Sequence, residues 1–229
     1  MHYNNINMKI TIVYDNETLI PGCRASHGFA AYLEYYNKHI LFDTGWNGKI
    51  LLENLNKFQI DPAKLDIIFL SHQHWDHIGG LSILLEFVDK PLIVIPKSFT
   101  SHFKKELLKY GKLLEVEEPS EVIAGLYTSG ELETDIGIKE QSLGISTGDG
   151  KIIILTGCSH PQVPVIYKAL MKFGPVKAII GGFHGFKELD FFRKFDLVIP
   201  CHCTVIKQEI LRDKHIQSEK CGVGLTVSF

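Results

Sequence analysis

The sequence predicts one mixed α/β (α+β) domain over residues 1–229, and three observations indicate this class. The composition is that of an ordinary globular protein, with 45% hydrophobic and 22% charged residues. Short β-branched runs alternate with stretches whose apolar residues recur at helical spacing. No repeat of fixed period, low-complexity tract or Pro/Gly/Ser-rich linker marks a domain boundary. A chain of this length buries roughly 70% of its unfolded surface, so one core needs no disulfide framework.

The first elements are predicted from periodicity and turn chemistry. Residues 9–14 (KITIVY) and 28–35 are runs typical of strands. The polar pair 37–38 predicts a hairpin turn before a third strand, which ends at Asp43 and delivers a carboxylate to a strand end. Helical spacing predicts a helix over 47–58. Asp61 followed by proline is a typical N-cap with Pro at the first helical position.

The next stretch has the order strand, loop, helix, strand. Residues 66–70 (DIIFL) predict a buried strand that leads directly into SHQHWDHIGG. A helix is expected around 81–87, a strand at 91–95 and a helix over 98–110. Much of the segment 97–137 is acidic and rich in turns, and its pattern places no strand there.

The last third repeats this order. Residues 142–147 and 151–155 flank the turn GDG and predict a hairpin that ends in TGCSH. A helix at 163–173 leads to the strand VKAII and GGFH, and a helix at 188–195 leads to DLVIP and CHC. Residues 204–212 are expected to be helical, and GLTVSF closes the chain with a strand. Four apolar strands therefore end in loops that carry His or Cys.

Charge and hydropathy give no support for a nucleic-acid or membrane partner. With 24 Lys and Arg against 26 Asp and Glu, the formal charge of −2 lacks the basic excess of a nucleic-acid binder. The apolar runs are far shorter than the ~20 residues of a membrane span. The segment MHYNNINMKI has no apolar core or small-residue cleavage site, so we expect no export signal. Five cysteines, three of them beside histidines, favour thiol or metal chemistry over structural bridges and hence a reducing, cytoplasmic compartment.

Histidines concentrate just after the predicted strands. Catalytic and ligand-binding groups of sheet-based α/β proteins gather at the carboxyl ends of strands, where loops converge over a rigid platform. Six of the eleven histidines of the chain lie at such positions, namely His72, His74, His77, His160, His184 and His202. This placement predicts a metal or catalytic site at one edge of the sheets.

The segment from His72 to His77 (HQHWDH) has the spacing of metal ligands. In an extended segment, side chains at i and i+2 point the same way, so His72 and His74 are able to bind one cation together. If the chain then turns into a helix, Asp76 and His77 come round to serve a second cation. Imidazole and carboxylate suit zinc, iron, manganese, cobalt or nickel. The alternative, a His-rich surface loop without metal, fits poorly with a position directly after a buried strand.

SHQHWDHIGG resembles the HxHxDH signature of the metallo-β-lactamase fold superfamily, and LFDTG is similar to the Asp-bearing strand end of that family. TGCSH, GGFH and PCHCT follow in the order of the later metal loops of the family, so the resemblance extends from residue 9 to the C-terminus. The residues of these motifs resemble those of the branch of dihydropterin-ribofuranosylaminobenzene phosphate synthase-like proteins. The resemblance implies a four-layer αββα sandwich with a binuclear metal site at one edge of its two packed sheets.

The resemblance also implies roles for individual residues. His72 and His74 correspond to ligands of the first metal ion. Asp76 and His77 correspond to ligands of the second, which His202 would complete. Asp43 corresponds to an aspartate that orients the metal loop by hydrogen bonding without binding metal.

Two departures from the family pattern leave the first metal site open. The stretch KEQSLGIST has no histidine where the family has its third-motif His, and Cys158 stands in place of the bridging aspartate. We expect His160, two residues further on, to fill the vacancy. Cys158 as a thiolate ligand stays an alternative, and Glu140 is a more distant one.

Other residues near the motifs receive weaker interpretations. His184 is expected to donate a proton to a leaving group or to contact substrate. His27 could reach the site, although a lone His near a strand is more often structural. Cys201 and Cys203 flank His202 on alternate sides of an extended segment and are interpreted as buried small residues. Cys23 and Cys221 give no further signal.

These features predict a metal-dependent hydrolase with a small-molecule substrate, which could be anionic. Two divalent cations, zinc with iron or manganese as alternatives, would generate a metal-bound hydroxide that cleaves an ester, lactone or phosphodiester-type bond. Asp76 would hold the hydroxide and accept its proton, while His184 assists the leaving group. Two alternatives stay open: a transferase that joins a pterin diphosphate to a phosphoribosylated aromatic amine, and a non-catalytic metal-binding or ligand-sensing module.

Overall fold

The structure is a computed structural model that describes residues 8–229. The first seven residues, on which part of the expectation about export rests, lie outside the described range. Within that range the strands are β1 (Met8–Tyr14), β2 (Ala30–Tyr35), β3 (Lys38–Phe42), β4 (Ile67–Phe69), β5 (Leu92–Pro96), β6 (Lys112–Val116), β7 (Ser120–Ile123), β8 (Leu126–Thr128), β9 (Leu132–Glu133), β10 (Lys139–Glu140), β11 (Leu143–Ser146), β12 (Ile152–Thr156), β13 (Val176–Gly182), β14 (Leu197–Cys201) and β15 (Thr226–Ser228).

The helices are short, and most of them follow a strand. The α-helices of the described range are α1 (Gly48–Lys57), α2 (Trp75–Ile78), α3 (Leu81–Leu84), α4 (Ser101–Leu107), α5 (Val163–Leu170), α6 (Leu189–Phe192) and α7 (Lys207–Arg212). Single 3₁₀ turns occur at Pro62–Lys64 and Met171–Phe173. Across residues 8–229, none of the helices combines the length and the apolar character that crossing a membrane requires.

Two large sheets form the centre of the fold. The first has the strand order β15-β1-β2-β3-β4-β5-β6 and the second β14-β13-β12-β11-β8-β7, while β9 and β10 form a separate two-stranded ribbon. From β3 to β6 the first sheet is parallel, and so is β12-β13-β14 in the second. Parallel strands present their carboxyl ends at one edge of a sheet, so the histidine-bearing loops emerge together.

Apolar side chains at alternate positions of the strands fill the space between the sheets. Ile10 and Ile12 of β1 share one buried cluster with Ile153 and Leu155 of β12. Burying a side chain of this size stabilises the fold by about 1.5–3 kcal/mol. The inner faces of the two sheets therefore make the main core.

The outer face of each sheet is covered by helices. Leu51 of α1 and Leu84 of α3 pack in one buried cluster with strand residues of the first sheet. Ile166 of α5 and Ile210 of α7 do the same for the second sheet. The layers therefore run helices, sheet, sheet, helices, and the predicted αββα sandwich is confirmed.

Local predictions agree where capping or turn chemistry is strong. Helix α1 begins after Asn47, whose side chain accepts hydrogen bonds from the backbone of Lys49 and Ile50, and the Asp61 cap precedes its 3₁₀ turn. The first hairpin turn differs by one residue, because Tyr35 pairs with Lys38 and the turn lies at 36–37. The helix expected over 98–110 is shortened to α4 at its capping residue Thr100.

The sequence pattern placed no strand in residues 97–137, but the structure has four there. Strands β6, β7, β8 and β9 lie there. Strand β6 is the edge of the first sheet and pairs with β5, while β7 and β8 form a short hairpin. These strands are brief and partly exposed, so packing against neighbouring strands defines them more than their own sequence does.

Cys201 is buried, as expected from the sequence, but its disulfide was not anticipated. Cys201, at the end of β14, forms a disulfide with Cys221, although neither was expected to form a bridge. The loop before β15 returns beside β14, an approach that depends on the tertiary fold. Cys23, Cys158 and Cys203 remain as free thiols.

Candidate metal centre

A buried carboxylate at the end of β3 holds the loop that follows β4. Asp43 is fully buried, and its Oδ1 accepts a hydrogen bond from the backbone of Ser71 at 2.7 Å. Its Oδ2 accepts one from the Ser71 hydroxyl at 2.7 Å and lies 2.7 Å from Nδ1 of His77. Asp43 therefore fixes both ends of the His72–His77 segment by hydrogen bonds, in the position that the sequence motif implied.

His77 is oriented by this contact. Burial alone would lower the pKa of His77, but the charge of Asp43 and its hydrogen bond outweigh burial and raise this pKa to about 9. Because Nδ1 faces Asp43, the other ring nitrogen, Nε2, points into the site, 3.1 Å from Sγ of Cys158. The sequence predicted His77 as a ligand of the second cation, and Nε2 is the ring nitrogen left free for that role.

Three imidazoles converge to form the first ligand group, which consists of His72, His74 and His160. One ring nitrogen of each lies within 4.8 Å of the others, and Nε2 of His72 is 3.1 Å from Nδ1 of His74. Nδ1 of His72 lies 2.9 Å from the Ser71 hydroxyl, which fixes the ring. The structure thus brings His160 beside His72 and His74.

His160 carries an unsatisfied polar atom. Its Nε2 is buried and, among residues 8–229, has no hydrogen-bond partner. Burial lowers the pKa of His160 to about 4, and the neighbouring His184 and His74 add to this effect, so the ring is neutral at pH 7. A neutral imidazole with a free lone pair is the form that binds metal, and a buried nitrogen without a partner is otherwise unfavourable.

A carboxylate and further imidazoles form the second ligand group, around Asp76. Its Oδ2 is 3.0 Å from Nε2 of His202, 3.2 Å from Nε2 of His27 and 3.8 Å from Nε2 of His77. Burial raises the pKa of Asp76, but the hydrogen bond from His202 and the charges of His77 and His202 outweigh it and hold this pKa below its usual range. Asp76 is therefore a carboxylate at neutral pH.

Two residues at the end of β1 position His202. Its backbone N–H donates to Oδ2 of Asp15 at 2.8 Å, and its Nδ1 lies 2.9 Å from Oδ1 of Asn16. These contacts leave Nε2 facing Asp76. Neither Asp15 nor Asn16 was singled out in the sequence, although YDN at the end of β1 repeats the strand-end carboxylate pattern of FDT at Asp43.

Glu140 supports the TGCSH loop and does not face the ligand groups. Oε1 accepts hydrogen bonds from the backbone of Cys158 and Ser159 at 2.8 and 2.9 Å, and Oε2 accepts one from the backbone of His160 at 2.8 Å. Burial raises the pKa of Glu140 to about 7 against the effect of these donors. With both oxygens engaged, Glu140 positions the loop, and its interpretation as an alternative ligand is wrong.

Two free thiols meet beside the second ligand group. Sγ of Cys158 is 3.2 Å from Sγ of Cys203. Burial raises the pKa of Cys158, whereas hydrogen bonds with Cys158 and His184 lower the pKa of Cys203. The interpretation of Cys203 as a buried small residue is wrong, because His202 adopts φ 42° and the segment is not extended. Cys201 points into the core, as expected.

Two exposed histidines lie at the mouth of the site. The ring centroid of His184 is 4.6 Å from that of His160. A hydrogen bond with Cys203 raises the pKa of His184 against the effect of burial. The side chain of His27 is 62% exposed while its Nε2 contacts Asp76. Both rings are accessible to a substrate, and His27 is closer to the carboxylate than its sequence position indicated.

A cavity of about 640 Å³ opens beside the metal loop. Gln73 and Trp75, which alternate with His74 along the loop, form part of its wall. Leu81 and Phe103 contribute apolar surface from α3 and α4. This volume suits a small molecule with an apolar portion.

Comparisons with known proteins agree with the fold and the motifs described above. The family model described as "Metallo-beta-lactamase superfamily" matches residues 25–167. An uncharacterized protein of Methanocaldococcus jannaschii is 32% identical, over 86% of this chain and 91% of its own. The 7,8-dihydropterin-6-methyl-4-(beta-D-ribofuranosyl)-aminobenzene-5'-phosphate synthase of the same organism is 29% identical, over 90% of each chain. A solved structure described as a metal-dependent hydrolase of the beta-lactamase superfamily superposes with a TM-score of 0.75 at 23% identity, covering 97% of this chain and 99% of its own. This last likeness supports the fold alone.

Proposed function

Because the chain belongs to the metallo-beta-lactamase superfamily, we propose that it is a metal-dependent hydrolase of small molecules with two divalent cations at its active site. The observation that carries the proposal is the buried Nε2 of His160, which has no hydrogen-bond partner among residues 8–229, on a ring whose centroid lies 5.0 Å from those of His72 and His74. A nitrogen in this situation needs a ligand to offset the cost of burying it.

The residues present fit two cations. His72, His74 and His160 would hold the first, and Asp76, His77 and His202 would hold the second. Imidazole-rich sites with a carboxylate and a nearby thiol favour zinc, with iron and manganese as alternatives. Cations bound there lower the pKa of water and polarise a carbonyl or phosphoryl oxygen.

The side chains of the protein supply the remaining chemistry. Asp76 is ionised at neutral pH, so its carboxylate would hold and orient an attacking water. It would accept the proton of that water once bound cations have made the water more acidic. His184 and His27 are exposed at the mouth of the site and would deliver a proton to the leaving group. Asp43, Asn16 and Glu140 restrain the ligand rings and loops through the hydrogen bonds described above.

The cavity and the two histidines at the mouth support the substrate class that we propose. An ester, lactone or phosphodiester with an apolar portion would place that portion against Trp75 and Phe103, beside the metal loop. Two exposed histidines at the mouth would favour a substrate with negative charge. Superfamily membership alone does not specify the scissile bond, because one fold hosts many reactions.

A second candidate is a transferase that joins a pterin diphosphate to a phosphoribosylated aromatic amine. One observation favours it: the relative named as a synthase is 29% identical over nine-tenths of both chains. In that reaction the cations would bind the diphosphate that leaves, and the amine, instead of water, would attack the pterin carbon.

Turnover of defined substrates by protein loaded with zinc tests the proposal. We expect hydrolysis of at least one class among esters, lactones and phosphodiesters, and a fall of about 10² or more in rate for Asp76→Asn, since general-base contributions have this size. Asp135→Asn, in an exposed turn, is the matched control and should leave the rate unchanged. Amine-dependent release of diphosphate from a pterin diphosphate, without hydrolysis, would select the transferase. If Asp76→Asn keeps both activities, the role proposed for this carboxylate is contradicted.

A further inference from the structure

We infer that Cys158 and Cys203 act together as a pair of thiolate ligands in the second ligand group, which makes that site selective for a thiophilic cation such as zinc. The inference rests on the proposed metal centre and adds two ligands to the histidines and the aspartate placed there above.

The first argument is the distance between the two sulfurs and the neighbouring ring nitrogens. The two sulfurs are 3.2 Å apart, and both lie within 4.8 Å of a ring nitrogen of His202. Sγ of Cys158 is also 3.1 Å from Nε2 of His77. Two sulfurs bound to one tetrahedral zinc ion at about 2.3 Å are separated by about 3.8 Å, so a small shift would suffice to seat a cation between them.

The placement of Cys203 carries the second step. Cys203 is only half-buried, and it lies outside the apolar core to which Cys201 contributes. A Cβ added at Gly182 would lie 2.6 Å from Sγ of Cys203, so the absence of a side chain there makes room for this sulfur. The left-handed backbone of His202 (φ 42°) turns Cys203 toward Cys158. The local backbone is therefore built to place the sulfur at the site.

The surrounding groups carry the third step. Other polar contacts of the two sulfurs lie within the site, since Cys203 contacts the backbone carbonyl of Cys158 at 3.8 Å and Cys158 contacts His77. Thiolates and imidazoles are donors that zinc binds well, whereas manganese prefers oxygen ligands. The first ligand group, with three imidazoles, has no such preference.

Substitution with cobalt(II) tests the inference by a readout that does not depend on activity. Thiolate ligands give cobalt a near-ultraviolet charge-transfer band whose intensity scales with the number of sulfurs bound, while histidine-bound cobalt is seen through its weaker visible bands. We expect the charge-transfer band in the wild type, about half of it in Cys203→Ser or Cys158→Ser, and none in the double variant. Cys23→Ser, a free thiol in the loop between β1 and β2, is the matched control and should leave the band unchanged.

Three results separate the inference from the metal centre itself. Full intensity in Cys203→Ser, or bound cobalt without a charge-transfer band in the wild type, would overturn the thiolate pair and leave the metal centre standing. Failure of the wild type to bind any cobalt would contradict the metal centre.

A measurement on the wild type covers the case in which a variant fails to fold. Alkylation followed by peptide mass spectrometry should show Cys158 and Cys203 protected in zinc-loaded protein and reactive after chelation, with Cys23 equally reactive in both. Equal reactivity of Cys158 and Cys203 in the two forms would overturn the inference. So would an oxidised Cys158–Cys203 pair in the zinc-loaded protein.

Discussion

Replacing Asp43 by asparagine should remove the charge that fixes His77 and weaken the hold on the whole metal loop. Both side chains are fully buried, and Oδ2 of Asp43 lies 2.7 Å from Nδ1 of His77. An asparagine of the same shape keeps at most the hydrogen bonds that an amide oxygen accepts, and it carries no charge. The perturbation therefore isolates the electrostatic part of the contact.

The size of the destabilisation and its dependence on pH follow from the pKa of His77 in cation-free protein. Asp43 raises this pKa from 6.5 to about 9 against the effect of burial, and a shift of that size corresponds to about 3 kcal/mol of folding free energy. Because the pKa is higher in the folded than in the unfolded protein, this stability is fully present below pH 6.5 and is lost as the pH rises through about 9. Asp43→Asn should therefore cost about 3 kcal/mol in mild acid and much less in alkali.

Urea unfolding of chelator-treated protein at about pH 6 and about pH 10 measures this difference. We expect the destabilisation by Asp43→Asn to shrink to about 1 kcal/mol at the higher pH, the value of neutral hydrogen bonds. The exposed-turn variant Asp135→Asn should change stability at neither pH. A destabilisation of Asp43→Asn that is equal at both pH values, or that grows with pH, would refute the reasoning. In cation-loaded protein the same variant should bind metal about 10–100-fold more weakly.

Three further predictions concern residues that position the site. Glu140→Ala leaves three buried backbone N–H groups of residues 158–160 without an acceptor, so it should lower the free energy of unfolding in urea by about 3 kcal/mol or more. The control Glu133→Ala, at a side chain that is 81% exposed, should lower it by about 0.5 kcal/mol or less. Asn16→Ala releases the His202 ring and should weaken binding of the second cation about tenfold in competition with a chromophoric chelator; unchanged affinity would contradict its positioning role. Gly28 has φ +128°, and a Cβ added there would lie 2.4 Å from the carbonyl oxygen of Asp76. Gly28→Ala should therefore lower the midpoint of thermal unfolding far more than Gly185→Ala, where an added Cβ has no atom within 4 Å. Equal midpoints for these two variants would show that the close approach is not required.

Much of the fold is predictable from the sequence because its strongest signals are local. The run at β4 is continuously apolar and the run at β12 is apolar up to Thr156, and each leads into a His-bearing loop. Asn47 and Asp61 cap their helical segments with their own side chains, so the start of each segment follows from one residue. Elements of this kind need little tertiary information.

The strands between β5 and β10 were missed for the opposite reason. Strand β7 has no fully buried residue, and β9 has two residues that pair only with β10. Their apolar alternation is too short to stand out from acidic turns. Pairing with distant neighbours, which is absent from local sequence, defines them.

The candidate site also combines features that the local sequence predicts with features that depend on the tertiary fold. The spacing of His72 and His74 indicated a shared direction, and the structure places both rings beside His160, as the sequence led us to expect. The contributions of Asn16 and of Cys203 were missed, because they depend on the end of β1 meeting β14 and on a left-handed turn at His202. Contacts across 186 residues leave no local pattern to recognise. Metal binding by the convergent residues stays a prediction.

The metal stoichiometry of zinc-reconstituted protein, measured by elemental mass spectrometry after removal of free metal, tests the central claim most directly. The wild type should retain about two zinc ions per chain, and His160→Ala, which removes one imidazole of the first ligand group, should retain about one. His215→Ala, an exposed histidine far along the chain from these loops, should retain two. A wild type that retains no zinc, or a His160→Ala variant that retains both ions, would contradict a binuclear centre built on these residues.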